Sequence, residues 1–224
     1  MKYLTEIEKF KEKFLVGEKF AEKLLIESNG DLQQAENLLK QHLLTSFMQK
    51  QAVDIEIAVR FLEKSNYDFA AALHYHEEYK YGKIGLCLRK NKNKEKALDD
   101  VLCLIVTTQN IPHQYYWEIK SLPQMSKIQR TFVLLMSWLN WESWEGVLMI
   151  EREYANEWRN VNAEWFADLF DAVIKRKEEL NRTEQQYWED ELYKSFDDTF
   201  QKRREELIDK LYSFVNENMT DDRQ

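Results

Sequence analysis

Between Leu44 and Tyr79 apolar residues recur at a spacing of three to four, the period of an amphipathic helix. Ala58, Val59, Phe61 and Leu62 supply one apolar face. Phe69, Ala72, Leu73 and the pair Tyr75-His76 supply the next, and a weaker helix is expected over Leu44 to Lys50. The two stronger runs hinge on Ser65-Asn66-Tyr67-Asp68, residue types that stop one helix and cap the following one. The same pattern occurs once before. A shift of 37 residues lays Ala21, Leu25, Ser28, Asn29, Asp31 and Ala35 over the identical residues Ala58, Leu62, Ser65, Asn66, Asp68 and Ala72. In this first copy Gly30 accepts a left-handed backbone and Asp31 caps the next helix. Its helices are expected near 3–14, 18–28 and 31–43, with Leu15-Val16-Gly17 as the first loop. The spacing thus predicts a three-helix unit over 1–43 and another over 44–79.

After Tyr79 the periodicity lapses. Two glycines followed by basic and polar residues mark 80–96 as a connector, its Lys/Arg run read as a solvated loop. Ala97, Leu98, Val101, Leu102 and Ile105 then share a helical face. The run VLCLIV also suits a buried strand, but the preceding Lys-Ala-Leu-Asp-Asp favours helix. Asn110-Ile111-Pro112 ends it, and a short helix is expected over His113–Ser121 before Pro123. Ile128 to Leu139 is strongly apolar on one side, and Asn140 to Gly146 is expected to interrupt or bend it. Helices over Val147–Ala155, Trp158–Ile174 and Gln185–Asn216 complete a larger domain spanning 97–224, with a polar tail.

Composition turns this pattern into a fold class. Five Gly and two Pro in 224 residues argue against strands and turns, and 32% charged residues interleaved with apolar ones suit amphipathic helices. Thirty aromatic residues offer ample surface to offset the entropy of ordering. The expectation is an all-α protein: two small units, then a helical bundle. Cys87 and Cys103 are read as buried thiols of a cytosolic protein. No stretch is apolar enough to span a bilayer, and the charged start MKYLTEIEKFKEKF is not a signal peptide, so a cytoplasmic location is expected. The net charge is −8, and from residue 97 onward 25 acids face 15 basic residues. Such a body disfavours nucleic acid and suits a basic protein partner.

The sequence Ala58-x-x-Phe61-Leu62-Glu63-x-x-Asn66-x-Asp68-x-x-x-Ala72 resembles the middle helix and turn of the ubiquitin-associated (UBA) domain. The amino-terminal domain of elongation factor Ts has a similar pattern. The resemblance implies two small adaptor-type bundles, with partners meeting the loop between helices one and two and the end of helix three. That places Leu15, Val16, Gly17 and Leu39 in one surface, and Ala52, Val53 and His76 in the other. Asp54 stands in the position of Gly17 and suits capping of the helix that follows.

Little in the sequence promises chemistry. It holds no glycine-rich phosphate loop, nucleophile elbow, C-x-x-C or H-E-x-x-H. None of His42, His74, His76 and His113 follows a Glu by three, which excludes the paired Glu-x-x-His of di-iron bundles. His74 to Glu78 brings at most two ligands together, fewer than a metal needs, and Asp99-Asp100 lacks the later aspartate of a magnesium motif. No cofactor is expected. The run 138–171 holds five Trp and eight acids; most of its rings should fill a core, with Trp141 and Trp144 beside Gly146 the ones to reach the surface. The expected function is therefore a non-enzymatic interaction adaptor or inhibitor for a ubiquitin-like or basic protein. The alternatives are a toxin-neutralising (immunity-type) or effector protein using its acidic aromatic face, and an enzyme with an interior site that spacing does not expose.

Overall fold

The computed structural model describes residues 3–112, 122, 125–145, 152–180 and 189–220, with backbone alone at 141–145, 152–153 and 180. Every regular element among them is a helix, so the chain is all-α. It divides into two compact units, Met1–Lys80 and Tyr81–Gln224.

The first unit contains α1 (Leu4–Lys13), α2 (Glu18–Glu27), α3 (Leu32–Gln51), α4 (Ile55–Lys64) and the start of α5 (Phe69–Lys90). Its two small cores match at the 37-residue shift. Phe10, Ala21, Leu25 and Ala35 are buried in the first, and Phe47, Ala58, Leu62 and Ala72 in the second. The turns match bond for bond. Ser28 Oγ donates to the Leu25 carbonyl and Ser65 Oγ to that of Leu62. Asn29 and Asn66 both adopt left-handed φ, 53° and 51°. Asp31 accepts from the amides of Gln33 and Gln34, and Asp68 from those of Ala70 and Ala71, so each aspartate caps a helix.

The boundary expected at 43/44 falls inside α3, which runs unbroken from Leu32 to Gln51. Nothing there can stop a helix: 43–51 contains neither Gly nor Pro, and Thr45 Oγ1 turns back onto the Gln41 carbonyl. The stop comes at Ala52, which takes φ 52°, and Asp54 then caps α4 through the Ile57 amide. One helix therefore closes the first core and opens the second. Leu43 and Tyr67 pack against both cores.

The connector expected over 80–96 is mostly helix. α5 continues to Lys90, interrupted only at Gly82 (φ 70°, ψ 168°), a conformation open essentially to glycine. The reason is burial: Leu88 is in the core of the second unit, with Ile84 and Cys87 packed on it. The actual turn is 91–93, where Asn93 caps α6 (Lys94–Thr108) through the Lys96 amide.

In the second unit α6, α7 (Lys127–Glu145), α8 (Arg152–Asn160), α9 (Glu164–Leu180) and α10 (Glu191–Asn218) enclose one core. Residues 131–139 of α7 are all buried, as expected of a central helix apolar on every side. The interruption expected over 140–146 is absent through Glu145, because no breaker precedes Gly146. α10 begins at Glu191, capped by Asp190, rather than at 185. The helix expected over His113–Ser121 lies outside the described residues.

Because α3 serves both cores, the first unit should unfold in one step. Phe47→Ala removes a fully buried ring and should cost about 3–5 kcal/mol. Hydrogen exchange should then accelerate in α2 together with α4; acceleration confined to α4 would mean that the two cores are independent.

Candidate partner-binding surfaces

The loops at equivalent places in the repeat differ in how much apolar surface they offer. Leu15 projects from the α1–α2 loop with 85% of its surface exposed. Beside it, a methyl group added at Gly17 would meet no atom within 4 Å, so a partner's backbone could approach closely there. Gly17 gives α2 no side-chain cap, whereas Asp54 in the second loop is engaged in capping α4. Ala52 is exposed, and Ile55 follows at 54% exposure.

Not every residue expected at these surfaces is on them. Val16 and Val53 are half-buried against the two small cores. Leu39 is fully buried, and His76 nearly so. Both lie on the inward face of helix three, where the resemblance placed the end of a contact surface; in this chain those positions close the cores. Ile26 (57% exposed), Leu4 and Tyr79 are apolar surface residues that the sequence reading passed over. Ile26 belongs to the run Leu24-Leu25-Ile26, in which two residues saturate the inward face, and a helical projection would have turned the third outward.

His76 occupies the place that Leu39 holds in the first core. Its ring stands edge-on to Phe47 and Phe61, with centroids 5.7 and 5.2 Å away. Its Nδ1 donates to Gln51 Oε1 at 3.1 Å, tying α5 to the last residue of α3. Burial disfavours the imidazolium and depresses the His76 pKa, with the Lys80 charge acting in the same direction.

In the second unit polar groups lock helices to one another. Arg204 of α10 holds Glu95 of α6 through two bonds of 3.0 and 2.5 Å, and this pairing lowers the Glu95 pKa. One helical turn further along α6, burial raises the Asp99 pKa, partly offset by a hydrogen bond from Asn140. Glu157 is buried on α8, accepting from Thr131 on α7 and from Asn160. Arg176 and the Leu192 amide hold Asp190 in its carboxylate form against the opposing effect of burial. No group of three or more His, Cys, Asp or Glu suited to a metal occurs among the described residues.

The Trp-rich run divides as its periodicity suggests. Trp138 and Trp158 are core residues, meeting near-perpendicularly at 5.9 Å and packed on Phe166. Trp165 is half-buried, donating to Glu206 beneath the Arg203 guanidinium, which sits 3.5 Å from its ring centroid. These three rings are therefore taken up in packing. Trp141 and Trp144 stand on helical backbone, and their side chains lie outside the described residues.

Two pH dependences of opposite sign follow. Near its ordinary value of about 6.5, His76 takes up a proton more readily in the unfolded chain than in the folded one. Acidification through that value should destabilise the first unit, and His76→Leu should flatten the slope in denaturant titrations at pH 5 and pH 8. Asp99 is the converse case. Its folded pKa lies above its unfolded value, so its contribution is greatest in acid and is lost as pH rises through the folded pKa. Asp99→Asn should therefore raise the stability of the second unit at pH 7 more than at pH 3.

Two comparisons with known proteins gave matches, and the family match falls in this second unit. A 147-residue alignment gives 29% identity to the uncharacterized protein YfbN of Escherichia coli (strain K12), covering 66% of this chain and 62% of that protein. No solved structure matches. Residues 85–220 match the family described as the YfbN C-terminal domain. That span opens three residues beyond the Gly82 break and takes in all of α6 to α10. With more than half of its residues inside that match, the chain belongs to the YfbN C-terminal domain family.

Proposed function

We propose that this chain is a non-enzymatic protein-interaction adaptor or inhibitor, acting in the cytoplasm through its first unit. The observation that carries this reading is the position of the exposed apolar side chains. Leu15 at 85% exposure is on the α1–α2 loop and Ile55 at 54% opens α4 directly after the α3–α4 loop, with Ile26 and Leu4 exposed in the same unit. Among the described residues of the second unit, Ile128 at 37% is the one comparable case. Exposed apolar side chains grouped on one small body suit a surface that another molecule covers.

The resemblance of the Ala58–Ala72 segment to UBA domains points in the same direction. It suggests a small folded partner, ubiquitin-like or basic, docked on the α1–α2 and α3–α4 loops. The burial of Trp138 and Trp158 leaves the immunity-type reading resting on Trp141 and Trp144, and so favours the loops.

The test uses the exposed residues, since Val16→Asp or Val53→Asp would also disturb packing. Leu15→Asp and Ile55→Asp, made singly in the full chain, should leave stability within about 0.5 kcal/mol of the parent. Each should reduce recovery of a specific partner in affinity capture at least tenfold. Identical recovery by the parent and both variants would remove the loops as the docking surface.

A further inference from the structure

We propose that the flank of α1 facing the start of α2 is a docking strip for a basic amphipathic helix presented by a partner protein. The proposal rests on the interaction reading above and narrows it to one occupant and one face. Leu4, Glu8 and Lys11 follow one another at steps of four and three, and so lie along one side of α1, while Leu15 stands in the loop beyond Phe14, where the backbone turns extended. Both leucines are exposed, 56% at Leu4 and 85% at Leu15. Leu4 borders an open depression of about 470 Å³ whose other lining residues are Ile7, Glu8, Lys11, Glu12 and Glu18. Ile7 is buried and forms its apolar floor.

Charge selects the occupant. Three carboxylates face one ammonium around the depression. Glu8, Glu12 and Glu18 form no ion pair among the described residues, while Glu36 on α3 is held by Lys13 and Lys40 at 2.5 and 2.7 Å. Unpaired carboxylates beside an apolar floor repel an acidic segment and attract one carrying Lys or Arg. Length selects the form. The ten residues of α1 span about 15 Å, so a partner helix of roughly three turns can lie along it, with an apolar anchor over Leu4 and Ile7 and basic residues against the carboxylates. The depression is too open to enclose a small molecule, which a ligand pocket normally does.

The strip can be tested with the full chain, isotope-labelled, and three synthetic 16-residue peptides. One has Leu at i, i+4, i+7 and i+11 with Lys at its polar positions. Its acidic twin carries Glu in place of Lys, and the third is a scramble of the basic peptide. The basic peptide should shift amide signals within 4–18, bind more weakly as salt rises, and lose at least tenfold in affinity to Glu8→Lys/Glu12→Lys/Glu18→Lys. The milder Glu12→Gln/Glu18→Gln should weaken binding in the same direction, which covers the event that the triple variant misfolds. Ile55→Asp should leave peptide binding unchanged. The proposal is overturned if the scramble binds equally well, if the shifts map outside 4–18, if the rim variants bind like the parent, or if the basic peptide does not bind. Partner capture that depends on Ile55 while the peptide fails to bind would discard the strip and keep the interaction reading.

Discussion

The first unit depends on the way apolar residues wind around α3. Ala35, Leu39, Leu43 and Phe47 follow at four-residue steps, and each step overshoots a helical turn by about 40°. From Ala35 to Phe47 the apolar stripe therefore rotates by about a third of a turn. Its beginning closes the core of Ile7, Phe10 and Leu25, and its end opens the core of Ala58, Phe61 and Leu62. A straight stripe could serve only one core. Leu43, midway along the winding stripe, touches both, and Tyr67 reaches both from the following turn.

That turn also shows how a repeat tolerates divergence. Both copies need a left-handed residue after the asparagine, and the first uses Gly30 at φ 85°. Glycine is required there for a second reason: the Tyr3 ring lies where a Cβ would be, 2.6 Å from its nearest carbon. The second copy holds Tyr67 at φ 61°, strained for a bulky residue. Its ring packs on both cores beneath the Lys40 ammonium, 4.8 Å from the centroid, and these contacts offset the strain. The replacement of Leu39 by His76 follows the same logic, because Gln51 Oε1 satisfies Nδ1 of the buried ring.

The second unit is organised around residues 131–139 of α7, buried on every side and clasped by aromatic rings. Phe170 and Phe200 approach Trp138 at 5.2 and 5.3 Å, and Phe166 stacks on Phe196. Edge-to-face rings pack densely without polar partners, which suits a helix with almost no polar face. Among the described residues the indole N–H of Trp158 finds no acceptor, and its ring stands edge-to-face with Trp138 and Phe166. The polar bonds of Arg204 to Glu95 and of Thr131 to Glu157 then set which helices are neighbours. Among the described residues no helix is long and apolar enough to cross a membrane.

The sequence by itself determined the helical class, the repeat and its turns. These are local matters: apolar period, the Asn that ends a helix and the Asp that caps the next act within a few residues. It determined the inward face of α6 and the core role of Trp138 and Trp158 for the same reason. What only the tertiary structure decided was where one packed body ends and another begins. The sharing of α3 between two cores, and the burial of 84–88 in the core of the second unit, depend on packing against other elements, which periodicity does not register. The placement of Leu39 and His76 inside, and of Ile55 outside, depends on which side of each helix its neighbours cover. A helix has the same local geometry whichever face is packed, so that choice belongs to the assembled fold.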